Sequence, residues 1–258
     1  MKIEVSGKGG SGKSTVSVLL ARSMKKLGYR VLLVDGDESN IGLETLTGAA
    51  APVHLLDYLG GKKGFKARLN QTMMTDNPAG LFSGKQKIDD LPRECIAVSE
   101  DGVEVLVIGK IHHMGEGCAC PMGVLSKKFL ASLETGDNEV ILVDAEAGVE
   151  HFGRGIVGEC DLVIGVVDPT AESFLLARKM AQMAETGGKA ICFVLNKVEP
   201  EIEGFMKQQL DAAKVVGVIP KDHALFMNSL EGSPLTGILP EIDEISREIL
   251  MPYQFGVY

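Results

Sequence analysis

Met1-Lys-Ile-Glu-Val-Ser-Gly-Lys-Gly-Gly-Ser-Gly-Lys-Ser-Thr15 opens the chain and decides how the rest is read. The run Ile3 to Val5 predicts a short strand, and Val16 to Leu27 predicts an amphipathic helix that stops at Gly28. Between them, Gly7 to Ser14 fits G-x-x-x-x-G-K-[ST] at every fixed position. Strand, glycine-rich loop and helix in that order are the context of a phosphate-binding loop. The glycines let successive backbone N–H groups converge on anionic oxygens, and the helix N-terminus adds partial positive charge. Gly9, Gly10, Ser11, Gly12, Lys13, Ser14 and Thr15 are therefore the expected nucleotide contacts. Lys13 is expected to bridge the β- and γ-phosphates, and the Ser14 hydroxyl to ligate Mg²⁺.

Working outward, 258 residues suffice for one α/β domain with a sizeable core, so residues 1–258 read as a single unit. Strand–helix alternation along the chain predicts a mostly parallel sheet with helices on both faces. Lys and Arg number 26 against 35 Asp and Glu, a net charge of −9. That balance argues against non-specific partners of the nucleic-acid or anionic-membrane kind, since both need cationic surface. Met1 leads straight into the loop strand with no signal segment, and the longest apolar runs fall far short of the ~20 residues that span a bilayer. The five cysteines are odd in number, so a disulfide framework is not expected and a cytoplasmic setting is the default.

Lys8 sharpens the reading of the loop. Lys8-Gly-Gly-Ser-Gly-Lys13-Ser-Thr carries a lysine at each end and resembles the deviant Walker A signature of the ParA, MinD and nitrogenase-iron-protein superfamily. The resemblance implies an ATP-closed homodimer in which Lys8 reaches the nucleotide of the other subunit. Charge delivered to the phosphates only on association would couple hydrolysis to dimer formation.

Further strand ends carry acidic residues. Arg30 to Asp35 reads as a buried strand followed by Gly36-Asp37, where ligands collect in open α/β sheets. By resemblance Asp37 orients the attacking water, with Asp35 behind it. Glu139 to Asp144 is a second apolar strand ending in an acid, the Walker B arrangement, which puts Asp144 near Mg²⁺. Ala145 to His151 follows as an expected switch II. The strand after Cys192 closes with Asn196-Lys197; the superfamily resemblance makes Asn196 the reader of the adenine edge, with Lys197 beside it. A last strand, Val215 to Ile219, leads to Pro220, whose loop flanks the base. Residues 49–102 are less legible: His54 to Leu59 suggests a short helix, and Lys62 to Arg68 a solvated basic face. Cys95, Cys160 and Cys192 read as small core residues.

Gly115-Glu-Gly-Cys118-Ala-Cys120-Pro121 is the other informative stretch. In an extended segment, residues two apart face one side, so both thiols would face one target. A tetrahedral thiolate site needs four ligands and one chain offers two here; a two-fold axis supplies the rest. Cys118 and Cys120 thus predict one metal shared between two subunits, a redox-active pair or incidental thiols being the alternatives. A helix is expected from Gly123 to Leu133.

Taken together, the double-lysine loop, Val34-Asp-Gly-Asp37, the Cys-x-Cys stretch and Asp144-x-x-Ala-Gly-Val-Glu-His151 resemble the carbon monoxide dehydrogenase maturation ATPases of the CooC type. That resemblance implies an ATP-dependent homodimer holding Ni²⁺ or Zn²⁺ and loading nickel into carbon monoxide dehydrogenase, its client. Two other members of the superfamily remain as rivals. One is a nitrogenase-iron-protein-like carrier of an intersubunit [4Fe–4S] cluster, although His151 stands where that family's second cluster cysteine falls. The other is a MinD- or ParA-type spatial regulator, which the acidic C-terminal stretch Glu241 to Glu248 argues against.

Overall fold

The computed structural model describes residues 1–38, 42–74, 82, 84–110, 120–148, 156–237 and 239–254. Eight strands form one sheet in the order β3-β4-β2-β5-β1-β6-β7-β8. They are β1 (Lys2–Gly7), β2 (Arg30–Asp35), β3 (Ala97–Val98), β4 (Glu104–Val107), β5 (Glu139–Asp144), β6 (Leu162–Val167), β7 (Ala190–Val198) and β8 (Val215–Pro220). Every pairing is parallel except that of the two-residue edge strand β3 with β4. This is the expected mostly parallel α/β sheet.

Parallel strands buried on both faces should be apolar throughout, with alternate side chains sent to opposite layers. In β2, Val31 and Leu33 join one core while Leu32 and Val34 join the other. The first layer packs α1 (Lys13–Lys26) and α9 (Pro240–Gln254) against the sheet. Gly217 makes the second contact close: a Cβ there would lie 2.2 Å from Ile245 Cγ1. The opposite layer holds α3 (Leu55–Tyr58), α4 (Gly61–Met74), α5 (Cys120–Ser132), α6 (Ala171–Thr186) and α7 (Pro200–Gln208). Two further helices are the five-residue α2 (Leu43–Thr47) and α8 (His223–Glu231). No helix among the described residues is long and apolar enough to cross a membrane.

Three expectations change. Residues 61–74 form a helix, where only a solvated basic run at Lys62 to Arg68 was expected. Phe65 is buried in the second core while Lys63 and Lys66 stay exposed, so the basic run is the outer face of an amphipathic segment. Helix α5 begins at Cys120 and not at Gly123, because Pro121 is tolerated in a first turn where its missing N–H costs nothing. Cys120 therefore opens a helix, and the strand-like alternation expected to align it with Cys118 does not extend to it; Cys118 lies outside the described residues. Strand β7 also runs through Val198, placing Asn196 and Lys197 inside it. Cys95, Cys160 and Cys192 are buried free thiols, as expected.

One buried charge-bearing group sits in the central strand. Glu4 is 1 % exposed, its Oε2 has no hydrogen-bond partner, and burial pushes its carboxyl up from 4.5 to about 8. A raised folded value means the fold binds the proton more tightly than the unfolded chain. That contribution is complete below about pH 4.5 and is lost as pH climbs toward 8. Glu4→Gln is expected to match the wild type near pH 4.5 and to become the more stable of the two by pH 8. The gap should widen at up to about 1.4 kcal/mol per pH unit, as read by urea unfolding across that range.

Candidate nucleotide-binding site

Strand β1 ends at Gly7, where a Cβ would lie 2.6 Å from the carbonyl oxygen of Val166 in the neighbouring β6. The loop then turns on itself, with the Ser11 N–H donating to the Lys8 carbonyl at 3.1 Å. Gly12 caps α1 with φ 96°, and its Cα faces Asn196 so closely that a Cβ would sit 2.3 Å from Nδ2. Only glycine meets both demands. No side chain caps α1. Its first-turn N–H groups are left to an external acceptor, the arrangement that binds anions at helix starts.

Lys13 is 6 % exposed at the head of α1. One residue on, the Ser14 hydroxyl donates to Asp144 Oδ2 at 2.6 Å, and the Ser17 hydroxyl donates to Oδ1 at 3.1 Å. Asp144 is fully buried at the end of β5, and burial pushes its carboxyl up to about 7. The Ser14 hydrogen bond and the Lys13 charge oppose that shift, while neighbouring Asp35 reinforces it. A hard cation seeks such a hydroxyl–carboxylate pair beside phosphates, so Ser14 and Asp144 fit a Mg²⁺ site. Ser17 was missed in the sequence, although its i+3 spacing from Ser14 puts both on one helix face.

Asp35 lies level with Asp144 across the β2–β5 ladder. Its carboxylate accepts the Asp37 N–H at 3.1 Å, the Leu43 N–H at 3.0 Å and the Lys110 ammonium at 2.8 Å. Burial raises the Asp35 carboxyl and the Lys110 charge pulls it back. Lys110 also donates to the Asp37 carbonyl. Asp37 itself is 7 % exposed at the head of the loop to Leu43. No sequence pattern singled out Lys110, whose role depends on a contact 75 residues away.

The remaining expected residues fall on the other side of β1. Lys8 pairs with Asp168 Oδ2 of its own chain at 3.5 Å, and Asp168 is fixed by the Thr170 hydroxyl at 2.8 Å. Asn196 is 6 % exposed and donates to the Ser11 carbonyl at 2.8 Å; Lys197, held at φ 59°, donates to the Gly10 carbonyl at 2.6 Å. Both side chains hold the glycine loop from beneath. Pro220 ends β8 opposite Val198. Gly148, the last described residue of the expected switch II, donates to the Gly7 carbonyl at 3.2 Å. Cys118 and His151 lie outside the described residues. Among the described residues no group of three or more His, Cys, Asp or Glu could hold a metal ion.

A glycine loop entering an uncapped helix, a serine on a buried strand-end aspartate and a parallel sheet beneath them define a P-loop nucleotide-binding protein. The CobQ/CobB/MinD/ParA nucleotide binding domain matches residues 3–235, and the chain belongs to that family. It is 44 % identical over 245 residues to an uncharacterized ATP-binding protein of Methanocaldococcus jannaschii, covering 95 % of this chain and 98 % of the relative. It is 34 % identical over 234 residues to the carbon monoxide dehydrogenase accessory protein CooC of Rhodospirillum rubrum, covering 87 % and 85 %. The septum site-determining protein MinD of Pyrococcus horikoshii, solved with Mg-ADP, superposes with a TM-score of 0.66 at 20 % identity. That likeness covers 96 % of this chain and 95 % of that one, and it concerns the fold.

The hold of Asn196 on the loop can be separated from any contact with the base. Asn196→Ala is expected to weaken ATP and inorganic tripolyphosphate alike, by about fivefold for one lost hydrogen bond. Calorimetric titration of both ligands checks this; a loss confined to ATP would mean the side chain acts on adenine alone.

Proposed function

We propose that the chain is a homodimeric ATPase that binds Ni²⁺ or Zn²⁺ as cargo through Cys118 and Cys120 and serves the maturation of a nickel-containing carbon monoxide dehydrogenase. The observation that carries this reading is the pairing of a double-lysine loop with a Cys-x-Cys stretch in a chain so similar to CooC. Cys120 is the first residue of α5. Two such chains about a two-fold axis supply the four thiolates of a tetrahedral site.

In this reading ATP lies along residues 7–15, with Asn196, Lys197 and Pro220 on the side of the base. Mg²⁺ supplies positive charge against the phosphates, held by Ser14 and beside Asp144. Lys13 neutralises the phosphate oxygens, and Asp37 orients water for attack on the γ-phosphorus. Lys8 exchanges its own-chain partner Asp168 for the nucleotide of the facing subunit. Nucleotide-driven closure alters the spacing of the four sulfurs, so metal affinity follows nucleotide state. By reciprocity the metal favours whichever nucleotide state tightens its site. The whole chain works as one nucleotide-binding unit.

Lys13→Ala is expected to abolish nucleotide binding or turnover. Lys8→Ala should retain ATP binding while losing nucleotide-driven dimers in sedimentation, because the ammonium that crosses the interface is gone. Metal analysis of anaerobically purified protein is expected to give one ion per two chains, lost in the Cys118→Ala/Cys120→Ala variant. A stoichiometry of one ion per chain would contradict a shared site. Iron with a visible absorption band would point instead to an iron–sulfur cluster, which the same four thiolates can ligate.

A further inference from the structure

Lys110 follows β4, and its side chain reaches the carboxylate at the end of β2, beside the nucleotide site. Its side chain is 11 % exposed, and the ammonium bonds the Asp35 carboxylate, whose side chain has no exposure at all, at 2.8 Å. The same ammonium donates to the Asp37 carbonyl. Asp35 in turn holds the amides of Asp37 and Leu43, the two described ends of the loop that leaves β2. One lysine therefore grips the start of that loop by its backbone oxygen and both ends through one carboxylate.

The root of Lys110 is equally constrained. The Ile108 N–H donates to the Asp35 carbonyl at 3.0 Å and the Ile108 carbonyl accepts the Leu56 N–H at 2.9 Å. Gly109 is packed so tightly that a Cβ would meet Leu56 Cβ at 3.1 Å and Met122 Sδ at 3.3 Å. Met122 lies in the first turn of α5, two residues after Cys120. Both ends of the cysteine-bearing segment thus sit side by side, and one of them is bonded to the Asp37 loop.

We propose that Lys110 is a positioning residue that sets the Asp37 loop for hydrolysis and couples it to the first turn of α5, which opens at Cys120. This rests on reading the chain as an ATPase with Asp37 at the γ-phosphate, and its Zn²⁺ readout rests on Cys120 as a metal ligand. Displacing the Asp37 carbonyl or Asp35 pulls on Lys110, and through Gly109 on the first turn of α5. Conversely, a shift of that first turn moves the anchor of the loop.

The test uses the full chain and three variants. Lys110→Met is expected to lower kcat for Mg-ATP by about tenfold, equivalent to about 1.4 kcal/mol of barrier, while ATP affinity changes by less than about threefold. Lys110→Arg should return most of kcat, since it keeps the charge. If Lys110→Met does not fold because Asp35 is left buried and unpaired, the neutral pair Lys110→Met/Asp35→Asn restores folding and is expected to keep the low kcat. Hydrogen exchange at the Asp37 and Leu43 amides gives a readout that needs no turnover. Added Zn²⁺ is expected to shift exchange there in the wild type and to have no effect in Lys110→Met.

A kcat for Lys110→Met equal to that of the wild type overturns the proposal. So does an exchange pattern that ignores Zn²⁺ in a wild type that takes the ion up, or one that answers Zn²⁺ equally in the variant; a wild type that takes up no Zn²⁺ overturns the metal reading instead. A wild type that binds ATP without hydrolysing it overturns the ATPase reading instead, and the exchange comparison still decides the role of Lys110.

Discussion

Two carboxylates, Asp35 and Asp144, stand level at the ends of adjacent strands, both without solvent exposure. Buried like charges this close are costly unless each finds its own compensation. Asp144 turns to Ser14, Ser17 and the charge of Lys13; Asp35 turns to Lys110 and two loop amides. The division gives each aspartate one segment to hold. One governs the phosphate loop and the head of α1, the other the loop that carries Asp37.

The sheet order explains why these parts meet. Strand β1 lies between β5 and β6, and the helices that follow β1 and β6 leave toward opposite faces, α1 into one core and α6 into the other. Loops parting in this way open a crevice at the carboxyl ends of the strands, where doubly wound sheets bind their ligands. Lys8 and Asp168 meet across that opening, and Asn196 and Lys197 reach under it from β7. The glycine loop is thus tied to three strands beyond its own, β5, β6 and β7. Such pre-organisation lowers the entropy cost of ordering a phosphate cradle when ligand arrives.

Much of this could be read from local pattern. The phosphate loop, the apolar strands and their terminal acids follow from short-range chemistry: glycine where φ is positive, β-branched runs where both faces are buried, acids where strands end. The helix at 61–74 was missed because its apolar face reduces to few residues, Phe65 among them, amid lysines that satisfy solvent in any conformation. The expected start of α5 at Gly123 falls three residues late, since Pro121 is permitted in a first turn.

The sequence by itself determined the class of protein, the parallel sheet and the residues at the heart of the phosphate site, since each depends on neighbours within a turn or a strand. Tertiary structure alone decided the pairings: Lys110 with Asp35, Lys8 with Asp168, and Asn196 with the Ser11 carbonyl 185 residues away. Such partners are chosen by strand order and by which buried charge most needs an opposite one. Neither quantity exists until the sheet has assembled.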